Sequence, residues 1–246
     1  MAKTPTSRVD RLLAALGYGS RADVGRLARA GRVILDGVPL RDVTARIVLS
    51  PDLPSRLTVN AEPLDPLPGL VIAMNKPLGA TCSHREEGAL VYDLLPPRWR
   101  QRSPAISTVG RLDKDTTGLL LLTDDGDLLH RIISPKRQIP KTYRAKLDRP
   151  LAGTEGDVFA AGTLMLKGEE TPLAPATLEP LSPTEALLTI TEGRYHQVRR
   201  MFAAVGNHVT ALHRDSLGGL TLPGDLAPGQ WTVLDAADVA RIFDGA

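Results

Sequence analysis

The chain holds one cysteine, Cys82, in 246 residues. A single thiol excludes an internal disulfide and any zinc site built from several cysteines. The core must therefore be held by burial alone, and a composition that is 42% hydrophobic and 24% charged is sufficient for one sizeable core with a smaller satellite domain. Long apolar runs are missing too. No stretch approaches the ~20 residues of a membrane span, and the first residues lack the apolar segment of a secretory signal. The expectation is a soluble, reduced, cytoplasmic protein. Nucleotide-binding signatures are also lacking: there is no Gly-Lys-Ser/Thr and no Gly-x-Gly-x-x-Gly after a strand. His84, His130, His196, His208 and His213 do not fall into a metal-ligand pattern with Cys82. His213, Asp215 and Ser216 are too crowded in sequence for a nucleophilic triad. The pairs Asp113/Asp115 and Asp124/Asp125 invite a glycosidase reading, but such carboxylates flank a bond from different elements.

A net charge of +2 conceals an uneven distribution. Residues 1–60 carry ten Lys and Arg (Lys3, Arg8, Arg11, Arg21, Arg26, Arg29, Arg32, Arg41, Arg46, Arg56) against five Asp, an excess of +5 that leaves −3 for the remainder. A basic head suits a polyanion, because lysine and arginine gain affinity from phosphates by releasing counterions; an ordinary solvated face fits the same count.

Val9, Leu12, Leu13 and Leu16 fall at i, i+3, i+4 and i+7, one face of a helix that Gly17 can close. Ser20 with Asp23 reads as a capping box opening a second helix, with Val24, Leu27 and Ala28 on its apolar face and Gly31 as its stop. Val33-Ile34-Leu35 reads as a strand, and Asp36-Gly37 as a hairpin turn into Val38-Pro39-Leu40. Five prolines between residues 51 and 68 suggest a stiff connector and a domain boundary. Strand material resumes at Leu70-Val71-Ile72-Ala73-Met74. Arg98-Trp99-Arg100-Gln101-Arg102 is a basic patch around one aromatic, readable as an RNA contact or as a half-buried tryptophan among solvated arginines.

Two stretches carry more information. In residues 110–126, a polar loop bounded by two glycines presents Arg111 and Asp113. The apolar run Leu119 to Leu122 is the length of a buried strand, and Asp125-Gly126 turns into a helical pattern ended by Ser134-Pro135. A carboxylate beside an arginine at the mouth of a rigid strand suits a reactive group, although aspartate is equally an ordinary turn residue. A basic loop, residues 136–141, leads to a strand on which Tyr143, Ala145 and Leu147 share a face; Tyr143 also reads as a core aromatic. Residues 148–182 read as a loop-rich excursion with one short helix. The second stretch, residues 194–206, shows Val198, Met201, Phe202 and Val205 as a helical stripe stopped by Gly206. At about 100° per residue, Arg199 lies at the flank of the stripe and can reach a cleft edge, whereas Arg200 points toward solvent or phosphate. A final strand at residues 230–234 and a capped helix close the chain.

Taken together, these residues resemble known families. Arg8-Val9-Asp10-Arg11-Leu12-Leu13, Ser20-Arg21 and Gly31-Arg32-Val33-Ile34-Leu35-Asp36-Gly37 resemble the S-four-type RNA-binding domain, a small αL module. Asn75-Lys76-Pro77, Gly110-Arg111-Leu112-Asp113 with Thr116-Thr117-Gly118-Leu119, Lys141-Thr142-Tyr143, and Glu192-Gly193-Arg194-Tyr195-His196-Gln197-Val198-Arg199-Arg200-Met201 resemble the motifs of the RsuA family of RNA pseudouridine synthases. The resemblance implies an α+β fold in two parts. Residues 1–60, with a Pro-rich linker at 51–68, would be the RNA-binding domain, and residues 69–246 a catalytic domain whose mixed, mostly antiparallel sheet is flanked by helices. It implies Asp113 as the catalytic aspartate, Tyr143 as the aromatic packed on uracil, and Arg199 as the basic partner of the catalytic carboxylate. Arg111, Leu112, Lys76, His196, Gln197 and Arg200 would contact substrate, Arg111 by filling the gap left by a flipped-out uridine. Arg8, Arg11, Arg21, Arg26, Arg29 and Arg32 would contact RNA. No metal, ATP or redox cofactor is implied for an isomerisation. The longer run through residue 209 resembles the small-subunit branch of the family, implying 16S ribosomal RNA or an assembling small subunit as partner, uridine 516 as target, and a monomeric enzyme. A large-subunit ribosomal RNA synthase and a non-catalytic ribosome-assembly factor are the alternatives.

Overall fold

The computed structural model of the chain describes residues 5–84 and 88–245; Lys3 of the basic head lies outside them. The chain divides into two compact units. One is built from the chain up to Leu70 with Leu95–Ser107 and Thr123–Asp125, the other from Val71–Leu94, Thr108–Leu122 and the chain from Gly126 onward.

The first unit runs β1 (Thr6–Arg8), α1 (Val9–Ala15), α2 (Arg21–Arg29), β2 (Val33–Leu35), β3 (Val38–Pro39), β4 (Arg46–Val48), α3 (Leu53–Arg56), β5 (Leu57–Val59) and β6 (Glu62–Pro63). The i, i+3, i+4, i+7 face of α1 is buried: Val9, Leu12, Leu13 and Leu16 pack with Val24, Ala28 and Val33. Ser20 and Asp23 form the reciprocal capping box that starts α2. Asp36 and Gly37 both take positive φ, 52° and 80°, as the tight turn from β2 to β3 demands.

Residues 51–68 differ from the expected connector. They supply α3, β5 and β6, with Leu53, Leu57, Val59 and Leu64 in the core, and β5 pairs antiparallel with β2 through Val33↔Val59. Two of their five prolines are placed where no amide is required: Pro54 in the first turn of α3 and Pro63 on the edge strand β6. Of the basic patch around Trp99, Arg100 and Gln101 stay exposed while the rest is engaged with the protein. Trp99 is buried, and Arg98 pairs with Asp65 (2.7 and 2.9 Å) while lying over the Tyr18 ring. Arg102, wholly buried, donates to Asp124 at 2.7 and 3.1 Å and to the carbonyls of Pro66 and Leu67.

The second unit is organised on one sheet. Its elements are β7 (Val71–Lys76), β8 (Ser107–Thr108), β9 (Thr116–Thr123), α4 (Gly126–Ile133), β10 (Lys141–Leu147), α5 (Glu155–Ala160), β11 (Thr177–Ser182), β12 (Glu185–Ile190), α6 (Gln197–Ala204), β13 (Val209–Leu217), β14 (Leu220–Thr221), β15 (Trp231–Val233) and α7 (Ala236–Arg241). The strand order is β11-β12-β10-β13-β9-β7-β15, with β14 added to β13 and β8 to β9. β13 and β9 run parallel; the pairs β10–β12, β10–β13, β11–β12, β13–β14 and β7–β15 are antiparallel. The sheet is therefore mixed and mostly antiparallel, as expected.

Leu119 to Leu122 are fully buried on β9, consistent with a continuous apolar run covered on both faces. Each such leucine contributes on the order of 1.5–3 kcal/mol of burial. Gly118 makes the close approach of β9 to β13 possible: its φ is +101°, and a Cβ there would sit 2.4 Å from the Arg214 carbonyl oxygen. α6 begins at Gln197, one residue before its apolar stripe, and leaves residues 194–196 outside the helix because His196 takes a left-handed conformation (φ 49°, ψ 33°).

Candidate active site

The loop before β9 and the turn before α6 meet over the middle of the sheet. Between them lies a cleft of about 560 Å³ lined by Arg111, Leu112, Asp113, Tyr143, Tyr195 and His196, among others. That volume is typical of small-ligand sites. Asp113 sits in the loop with about a third of its side chain exposed, and His196 Nε2 lies 3.4 Å from Asp113 Oδ1. The left-handed backbone at His196 turns this ring toward the cleft, where it stacks on Tyr195 at 3.9 Å. Tyr195 is 75% exposed at the rim. Tyr143 comes from β10, opposite Arg214 of β13. Its ring is buried, and its hydroxyl accepts from Arg214 Nη1 at 3.5 Å.

The Asp113 loop is held by its main chain. The buried ammonium of Lys76 donates to the carbonyls of Thr116 (2.8 Å), Pro77 (3.2 Å) and Lys114 (3.4 Å). Burial lowers the Lys76 pKa, opposed by the charges of Cys82, Asp113 and Asp115. Gly79 N–H donates to Lys114 O at 2.9 Å, and Arg199 Nη2 to Asp115 O at 3.2 Å. Three consecutive carbonyls, 114 to 116, are thus tied from outside the loop.

The sequence-derived assignments divide on this geometry. Asp113, Arg111, Leu112, Tyr143, His196 and Gln197 all line the cleft, although Gln197 is 4% exposed and committed internally. Its Nε2 donates to Glu192 and its Oε1 accepts from Arg194 N–H. Lys76 is 0% exposed, and its ammonium is engaged with the carbonyls of Pro77, Lys114 and Thr116. Arg199 pairs with the Asp115 carboxylate at 2.9 Å and donates to Val209 O at 2.9 Å; its expected partner Asp113 is taken by His196. Arg200 is not free for solvent or phosphate. It donates to Glu169 (2.7 Å), Lys167 O and Tyr195 O. Glu169 also accepts from Arg194 at 3.2 Å, and hydrogen bonds from Arg200 and Arg194 hold its carboxyl below the usual range. Glu169, Glu192, Arg194 and Arg214 were not read as site residues from sequence. Glu169 and Arg214 find their partners on distant segments, which leave no local spacing to detect, whereas Glu192 and Arg194 pair with each other two residues apart inside the 192–201 run.

In the first unit, Arg8 and Arg21 converge on the buried Asp10, at 2.8 Å each. Burial raises the Asp10 pKa, but hydrogen bonds from Arg21 and Arg8 outweigh it and hold the carboxyl low. Arg26 pairs with Asp23. Arg11, Arg29 and Arg32 are exposed and form no ion pair among the described residues.

The family model for RNA pseudouridylate synthase matches residues 70–204. The chain is 41% identical over 239 residues to ribosomal small subunit pseudouridine synthase A of Escherichia coli (strain K12), covering 96% of this chain and 99% of that protein. It is 42% identical over 232 residues to an uncharacterized RNA pseudouridine synthase of Bacillus subtilis (strain 168), covering 92% and 94%. A crystal structure of a pseudouridylate synthase superposes with a TM-score of 0.67 at 34% identity, covering 96% and 99%. The fold is accordingly that of an RNA-modifying isomerase. The chain belongs to the RNA pseudouridylate synthase family, and within it to the RsuA type.

Proposed function

We propose that this enzyme isomerises one uridine of 16S ribosomal RNA, the residue conventionally numbered 516, on the free RNA or on an assembling small subunit in the cytoplasm. The observation that carries the proposal is the position of Asp113, beside His196 and Tyr143 in a cleft of nucleotide size, in a chain similar from end to end to a small-subunit synthase.

In this reading the target uridine is flipped out of its stack, at a cost of a few kcal/mol that contacts in the cleft offset. Arg111, exposed at the cleft, fills the vacated position. Asp113 either attacks C1′, so that an ester bond forms as the N1–C1′ bond breaks, or takes the C2′ proton as the uracil leaves. The uracil rotates and a C5–C1′ bond forms, as the ester bond breaks or the proton returns to C2′; the C5 proton then leaves and N1 is protonated. Tyr143 packs on the uracil and assists removal of the C5 proton. His196 flanks the carboxylate. Lys76, Arg199 and Arg200 act as positioning residues through the carbonyls and carboxylates they bind. Residues 1–60, within the first unit, are the S-four-type RNA-binding domain. Arg11, Arg29 and Arg32 are its leading phosphate contacts, because Arg8, Arg21 and Arg26 already have carboxylate partners.

Mapping pseudouridine in both ribosomal RNAs with and without the protein tests the substrate. A modification that appears in large-subunit RNA and leaves 16S unchanged overturns the assignment. Asp113→Asn should keep RNA affinity within about twofold while losing all isomerisation; turnover equal to the parent removes Asp113 from its role.

A further inference from the structure

Behind the cleft lies a second cavity of about 390 Å³ that shares Arg111, Tyr143 and Arg194 with it and extends to Lys141 and Arg214. Its charges do not balance. Arg194 is neutralised by Glu192 and Glu169. Lys141 is only partly exposed, and its ammonium donates to one neutral partner, Ile139 O at 2.9 Å. Arg214 is 3% exposed and makes no ion pair among the described residues. Its Nε donates to Leu119 O at 2.7 Å, Nη1 reaches the Tyr143 hydroxyl, and the buried Nη2 has no hydrogen-bond partner among the described residues. A guanidinium in this setting lacks the carboxylate that buried arginines ordinarily carry, and a buried donor without an acceptor costs about 1–3 kcal/mol.

We infer that this cavity is an anion subsite, built by Lys141 and Arg214 for a backbone phosphodiester of the RNA next to the flipped uridine. The inference rests on the reading of the adjoining cleft as the uridine pocket. The shared wall supports it: Tyr143 would face the base from one side while its hydroxyl stays bonded to Arg214, so phosphate binding would fix both the chain and the aromatic. The electrostatics agree. Burial and the Arg214 charge bring the Lys141 pKa down to about 8, against an opposing pull from Glu192. An anion between the two cations would relieve their repulsion and restore the lysine toward its ordinary value.

Two measurements on the full chain test the subsite. With lysines labelled at 13Cε, and the Lys141 resonance assigned from Lys141→Arg, added inorganic phosphate should move the Lys141 titration upward from about 8. The shift should vanish when Arg214 is replaced by Gln in a variant whose fold is checked by its other lysine resonances. In RNA turnover, Lys141→Gln should raise KM about tenfold, the size of one charge-assisted hydrogen bond, with the loss falling in KM more than in kcat. It should also reduce the salt slope of RNA binding by roughly 0.7–0.9, one phosphate contact; Lys141→Arg should restore most of both. A Lys141 titration unmoved by phosphate overturns the subsite, as does an unchanged KM and salt slope in Lys141→Gln. The phosphate titration needs no RNA, so it can fail while pseudouridine formation stands, and a wrong 16S target leaves it unaffected.

Discussion

Replacing Arg199 separates two ways in which one side chain can serve Asp113. Arg199 makes an ion pair with the Asp115 carboxylate, whose side chain is 62% exposed. It also makes main-chain bonds to Val209 O and Asp115 O, at 2.9 and 3.2 Å. The ion pair is screened by water on the Asp115 side and is worth about 0–1 kcal/mol. The two carbonyl bonds come from a charged, mostly buried donor and contribute about 1.5–3 kcal/mol each before the cost of desolvating the guanidinium is subtracted. Arg199→Ala should therefore lower unfolding free energy by about 2–4 kcal/mol, and Asp115→Ala by less than about 1 kcal/mol. In turnover the contrast should be wider. The Asp115 carbonyl is the middle of three that hold the Asp113 loop, and a displacement near 1 Å in such a loop costs on the order of 100-fold. Tritium release from RNA labelled at uracil C5 should fall about 100-fold for Arg199→Ala, about threefold or less for Asp115→Ala, and to an intermediate level for Arg199→Lys, whose ammonium can retain one carbonyl. Urea unfolding of the three variants supplies the stability comparison. If Asp115→Ala loses turnover as deeply as Arg199→Ala, the ion pair and not the main-chain tether positions Asp113, and the reasoning fails.

Two further outcomes follow from packing and charge. Gly118→Ala should destabilise the protein by more than about 2 kcal/mol, because positive φ and a Cβ 2.4 Å from the Arg214 carbonyl force β9 and β13 apart; a urea midpoint equal to the parent's contradicts the close approach. The Asp10 carboxyl is held below its unfolded value of 3.8, so its contribution is complete above that value and is lost as pH falls through the lower, folded value. Thermal unfolding between pH 6 and pH 2.5 should thus show a steeper acid loss for the parent than for Asp10→Asn, and parallel curves would exclude the Arg8–Asp10–Arg21 cluster as the cause.

Elements defined by local chemistry were legible in the sequence. The apolar face of α1, the capping box of α2, the Asp36-Gly37 turn and the buried Leu119 to Leu122 run each depend on neighbours within one or two turns of chain, and each forms. Residues 51–68 were misread because proline density signals a break, whereas in the structure prolines occupy a first helical turn and an edge strand where they cost no hydrogen bond. β13 carried no strand signal: Arg214, buried in its middle, breaks the alternation that would have marked it, and the reason for that burial, contact with Leu119 O and Tyr143, lies on β9 and β10. The same distance problem governs the site. The motif resemblance picks out which charged residues gather near Asp113 but not which way their heads point. Lys76 and Arg200 read as substrate contacts and Arg199 as the partner of Asp113, yet their polar atoms are engaged with main-chain carbonyls and with Asp115 and Glu169. Asp113 and His196 remain at the cleft because the loop and the left-handed turn that carry them are immobilised by those inward-facing cations. The basic residues around this carboxylate therefore belong to two chemically distinct groups. One bonds the carbonyls and carboxylates around the Asp113 loop, and its loss should appear in stability and kcat together; the other, Lys141 and Arg214, lines the second cavity without a carboxylate partner among the described residues, and its loss should appear in the dependence of binding on salt and phosphate.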